Sequence, residues 1–166
     1  MMSFLDLYLE RLSSAPFAVA ISHGATLFPW LECIHVLAIT LVVGTIAIVD
    51  LRLLGYPAHR RSARRLIVEL LPYTWVSFGI AAVTGVLMFA SNAASYAHNV
   101  QFQLKLALIV LAGINMAAFH LTVYRQIAEW DELHPPPLAA RAAGAASLCF
   151  WTGVVFLGRW VGFTLV

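Results

Sequence analysis

Four runs of apolar residues, at about 27–54, 66–90, 102–124 and 142–166, are separated by three short polar stretches. Each exceeds the ~20 residues that a helix needs to cross a bilayer core, and a spanning segment satisfies its own backbone hydrogen bonds only as a helix or in a closed barrel. The segment before them, about 3–21, differs: Phe4, Leu5, Leu7, Tyr8, Leu9 and Leu12 alternate with Asp6, Glu10 and Arg11. That mixture predicts a short amphipathic helix lying at the interface, broken at Ser13, Ser14 and Pro16. The pattern predicts an all-α fold, an integral membrane four-helix bundle forming one transmembrane domain over residues 1–166.

Composition sharpens this reading. Of 166 residues 61% are hydrophobic and 11% charged, with mean hydropathy +0.85, whereas soluble domains carry about a quarter charged residues. A net charge of +2 is too small to point to nucleic acid. The basic residues Arg60, Arg61, Arg64 and Arg65 gather in one loop, and the next loop, SNAASYAHNVQ, has no Lys or Arg. The positive-inside rule then puts the arginine loop in the cytoplasm and both termini on the periplasmic side of a bacterial inner membrane. With Asp6 and Glu10 and no positive leading stretch, the first twenty residues do not read as a cleavable signal peptide. Cys33 and Cys149 both lie in apolar runs and read as buried thiols, not a disulfide.

Ionisable groups inside spans are costly and point to function. At ~1.5 Å rise per residue, Glu32 and Lys105 fall near the outer ends of the first and third spans. They make a predicted outer layer with His35, joined by Arg159 of the fourth span. Asp50 and His120 fall near the inner ends, a predicted inner layer with Arg52 and Arg125. At ~100° per residue Glu32 and Asp50 share one face of the first span, with His35 about 60° away.

The stretch WLECIHVLAITLVVGTIAIVDLRLLG, residues 30–55, with FQLKLALIVLAGINMAAFH, residues 102–120, resembles an uncharacterised family of small bacterial four-helix membrane proteins. That family is distantly similar to CopD-like copper-resistance proteins and HemJ-type protoporphyrinogen oxidases. The shared features are His35 and then Arg52 in the first span, and Lys105 followed by His120 in the third. The resemblance implies haem-associated roles for His35 and Lys105. The Lys105 to His120 interval is about one helical turn longer than in the HemJ-type pattern, and Glu32 and Asp50 lie outside it.

Three functions follow as expectations. The first is a haem b protein in electron transfer or in quinone- or porphyrin-level redox chemistry, because imidazole is a standard axial ligand. His35 and His120 would bind the cofactor, His35 with His98 or His23 and His120 with His59 or His134. One iron would not take both His35 and His120, which lie roughly 18 Å apart in depth. Glu32, Lys105 and Asp50 would act on a propionate or move protons, with Arg52 and Arg159 near the cofactor, and Gly44, Gly79, Gly85 and Gly113 would make room for the porphyrin. The second is copper handling, through Met116, His120 and Cys149 or through His35, Cys33 and Met88. The third is a membrane anchor or assembly subunit, as a homodimer or with a partner subunit, docking through Gly153, Gly158, Gly162 and the aromatics Trp151, Phe156, Trp160 and Phe163. Phosphate-binding glycine loops, nucleophile elbows and zinc-spaced cysteine pairs are absent.

Overall fold

The computed structural model describes residues 4–56, 62–131 and 135–165, apart from the side chain of Glu129. All regular secondary structure among them is helical. The interfacial segment forms two helices, α1 (Phe4–Ser13) and α2 (Pro16–His23), with Pro16 in the first turn of α2, where its missing N–H removes nothing. Four helices long and apolar enough to cross a membrane follow: α3 (Leu27–Leu53), α4 (Ala63–Ser91), α6 (Val100–Leu121) and α8 (Leu138–Thr164). The chain is a membrane protein. Large apolar side chains such as Leu37, Val86 and Val110 stay exposed on these helices, as lipid-facing residues must.

The connections carry structure that the hydrophobic pattern missed. Within SNAASYAHNVQ a helix, α5 (Ala93–His98), receives a cap from α1, whose Ser13 hydroxyl accepts the Ala93 N–H at 2.9 Å. Asn99 closes the same corner: its Oδ1 accepts from the Phe102 N–H and its Nδ2 donates to Thr164 at the end of α8. At the other end α6 runs into a 3-10 turn, Tyr124–Gln126, and a single helical turn, α7 (Ile127–Trp130). This second end, with the connections 54–62 and 122–137, is termed the basic end below.

Helix boundaries follow from local chemistry. Gly55, at φ +94°, stops α3: its N–H bonds the Arg52 carbonyl and the Tyr56 N–H bonds that of Leu51, the αL closure that glycine makes at least cost. Helix α4 begins three residues before the apolar run, because Ser62 caps it by accepting from the Arg65 N–H. Helix α8 likewise begins directly after Pro137, so Arg141 lies inside its first turn rather than before it.

Helices α3 and α4 pack as one antiparallel pair and α6 and α8 as another, and the pairs join through α3 and α8. Helices α4 and α6 do not pack closely. Two apolar clusters hold the bundle. One at its middle joins Val42, Ala112, Trp151 and Val154; the other, at the basic end, joins Leu53, Ile67, Phe119, Ile127 and Trp130. Gly144 permits the α3–α8 approach, since a Cβ there would lie 2.9 Å from the Asp50 carbonyl and 3.1 Å from Leu53 Cβ.

Candidate functional site

Between the two apolar clusters lies a cavity of about 90 Å³ with polar groups from all four long helices. Helix α3 supplies Thr45 and Asp50, α4 Thr74, α6 Asn115 and His120, and α8 Ser147. The threonines explain themselves locally. Thr45 returns its hydroxyl proton to its own helix at the Leu41 carbonyl, 2.8 Å, and Thr74 donates to the Thr45 oxygen, 2.8 Å, linking α3 to α4. Asn115 donates to the Ala143 carbonyl at 3.0 Å and so ties α6 to α8. His120 donates its Nδ1 proton to the Met116 carbonyl at 2.9 Å, and its ring packs on Phe119 and Tyr124.

Asp50 is the exception in this network. It is 5% exposed and Ser147 hydrogen-bonds its carboxyl group, yet Oδ2 has no partner among the described residues. Buried polar atoms are nearly always paired, so an unpartnered carboxyl oxygen beside a cavity marks this as the candidate site.

The inner layer is therefore brought together in part. Asp50 and His120 line one cavity. Arg52 is buried elsewhere, against Asp131, with Nη2 at 3.0 Å from the Asp131 carbonyl and 3.3 Å from Oδ1. Asp131 also accepts the backbone N–H groups of Ala63 and Arg64, at 2.6 and 2.9 Å, and the Ser62 hydroxyl. Its carboxylate thus caps α4 while neutralising the end of α3. Arg125 is exposed. Sequence reasoning missed Asp131 because an acidic residue in a polar loop carries no periodic signal.

At the opposite end His35 sits over Gly85, whose Cβ would meet the ring at 3.1 Å, and bonds Thr84 Oγ1 through Nδ1 at 2.9 Å. The Thr84 hydroxyl also lies 2.8 Å from the Ile80 carbonyl of its own helix. Both Glu32 and Lys105 lie within electrostatic reach of this ring. They do not form the expected ion pair: no Glu32–Lys105 contact falls within 4.0 Å. Glu32 is exposed although it shares a helical face with Asp50, because α8 closes on α3 at Gly144, beside Asp50. Tyr96 packs edge-on against Phe102 and tilted against Phe89, and burial pushes its phenol above the ordinary range, with Glu32 adding to the shift. Lys105 lies beside Gly158 of α8, and Arg159 turns away to place its guanidinium 5.0 Å above the Phe163 ring.

The imidazoles have protein partners in separate places. His98 meets Asp6 of α1 at 3.5 Å, and His23 bonds the Val19 carbonyl. His59 and His134 lie outside the described residues. Ten residues of α4 separate Thr84, beside His35, from Thr74 at the cavity, roughly 15 Å at ~1.5 Å per residue. One iron cannot take both His35 and His120. Gly44, Gly79 and Gly113 are exposed with open space around them, and at Gly85 the His35 ring fills the gap. Cys33 and Cys149 are exposed, not buried, and neither lines the cavity. Among the described residues no three His, Cys, Asp or Glu side chains converge as a metal site.

No curated protein and no solved structure matches the chain, and no link to CopD-like or HemJ-type proteins is found. The family model of DUF6644, a family of unknown function, matches residues 18–164, from α2 to the end of α8, and the chain belongs to that family.

Proposed function

We propose that the protein binds a lipid-soluble small molecule with a hydrogen-bonding head, of the quinone class, and that Asp50 and His120 are the head's hydrogen-bond and proton partners. The observation that carries this reading is the unpartnered Asp50 Oδ2 at a cavity shared with His120. Depth and shape support it. Asp50 is three residues from the end of α3 and His120 one from the end of α6, so the polar groups sit near one membrane boundary, where an amphiphile keeps its head. About 90 Å³ admits only the polar edge of a ring, well below the ~300 Å³ of a complete ligand pocket. The remainder would lie in the cleft between α4 and α6, the two neighbours that do not pack closely. We place the basic end in the cytoplasm of a bacterial inner membrane, on the strength of Arg60, Arg61, Arg64 and Arg65.

The test is saturable quenching of tryptophan fluorescence by a short-tailed benzoquinone, on protein purified in mild detergent. Wild type should bind, and Asp50→Asn and His120→Gln should each bind about tenfold more weakly, the ~1.4 kcal/mol of one good hydrogen bond. Equal binding by all three would overturn the reading. An absorption spectrum of the same sample separates the other functions: a Soret band would favour haem b, stoichiometric copper would favour metal handling, and a co-purifying membrane subunit with no ligand would favour an anchor.

A further inference from the structure

The cavity at Asp50 is closed along the bundle and bordered on one side by two helices that stand apart. Toward the basic end Leu53, Ile67 and Phe119 are buried in one cluster with Ile127 and Trp130 of the connection 122–137, and toward the middle Val42, Ala112, Trp151 and Val154 fill the bundle. Between α3 and α8 the backbones meet at Gly144, where even a Cβ would crowd the Asp50 carbonyl. Helices α4 and α6 both line the cavity yet do not pack closely on each other. Of the residues lining it, Met116 of α6 alone is exposed, at 37%. Met116 lies five residues inside the end of an apolar span, roughly 7.5 Å at ~1.5 Å per residue, so its exposed side meets lipid. On α4, Leu71 and Thr74 line the cavity on either side of Pro72 in the sequence. Pro72 lacks the N–H that would bond the Val68 carbonyl, so this turn of α4 is the one its own backbone holds least.

We infer that the cavity is entered sideways from the bilayer, between α4 and α6, and that Met116 with Leu71 forms the mouth that selects what passes. The occupant is that of the quinone-class reading, on which this rests; the route and the selecting residues are additional to it. Met116 suits a mouth, since its unbranched side chain has three rotatable bonds and swings aside for a flat ring without presenting a polar group to lipid. An uncharged molecule dissolved in the bilayer passes such an opening, whereas a charged one would have to shed its hydration there. The Met116 carbonyl also accepts from His120, so the mouth and the head's partner share one turn of α6.

The test is thiol labelling of Ser147→Cys, at the cavity wall on α8, in a chain with Cys33 and Cys149 replaced by alanine and held in lipid nanodiscs, where both aqueous faces are open. Uncharged, lipid-partitioned N-ethylmaleimide should label this thiol, and a charged methanethiosulfonate should not. Adding Met116→Trp should slow the labelling about tenfold, the factor that ~1.4 kcal/mol of overpacking at the mouth gives, and Met116→Ala should keep or speed it. Val110→Trp, which adds bulk to the exposed surface of the same helix away from the cavity, should leave the rate unchanged. Comparable labelling by the charged reagent would overturn the inference, because the cavity would then open to water. A rate unmoved by Met116→Trp, equal slowing by Val110→Trp, or no labelling by either reagent would overturn it too. No quinone enters this experiment, so its failure leaves benzoquinone binding at Asp50 and His120 to the quenching titration, and failure of that titration leaves the route to this one.

Discussion

Two aspartates near the basic end have opposite roles, and their hydrogen bonds separate them. Asp131 is fully engaged, with Arg52, Ser62 and two backbone N–H groups, so its carboxylate holds three helices in register. Removing one partner of such a buried pair strands the other charge, at a cost of ~3–5 kcal/mol. Asp131→Ala and Arg52→Ala should each unfold far more readily in a denaturation series, and the double variant should lose less than the sum. Asp50, by contrast, has an oxygen with no partner among the described residues, so Asp50→Asn should keep or raise the melting temperature while ligand binding falls. A large loss of stability in Asp50→Asn would make it a structural residue instead. Both aspartates stand in the sequence, and only Asp50 was legible as unusual, because a charge inside an apolar run is conspicuous. The pairing of Arg52 with Asp131 crosses 79 residues and left no local trace.

At the level of elements, the four long helices were readable because their apolar runs are uninterrupted and long. Their ends were less so, because they are set by single contacts: Ser62 and Asp131 at α4, Gly55 at α3, Pro137 at α8. Helix α5 was missed since its stability comes from α1 and from packing of Tyr96, not from its own six residues. The glycines likewise look equivalent in sequence and are not. At Gly144 a Cβ would strike the Asp50 carbonyl, so Gly144→Ala should push α8 from α3, cost ~1–3 kcal/mol and disturb the cavity. Gly79→Ala and Gly113→Ala, with open space around them, should be neutral or slightly stabilising, as alanine is the better helix former. Melting curves of the three variants check this ranking.

For the whole molecule, two tight helix pairs joined along α3 and α8 leave α4 and α6 apart, and the polar cavity lies at that cleft near one boundary. Division of the first span's charges between two ends was foreseen from depth; the open side was not, since hydrophobic pattern says which residues avoid water but not which helices touch. The arginine loop fixes the expected orientation. In a chain with Cys33 and Cys149 replaced by alanine, Ala97→Cys should react with an impermeant thiol reagent in whole cells and Tyr56→Cys should not. The reverse pattern would invert the topology. The central claim, that Asp50 and His120 present a ligand site to this cleft, is tested most directly by benzoquinone quenching of the purified protein. The account predicts saturable binding that weakens about tenfold in Asp50→Asn with the fold intact. Identical quenching curves for wild type and Asp50→Asn would contradict it.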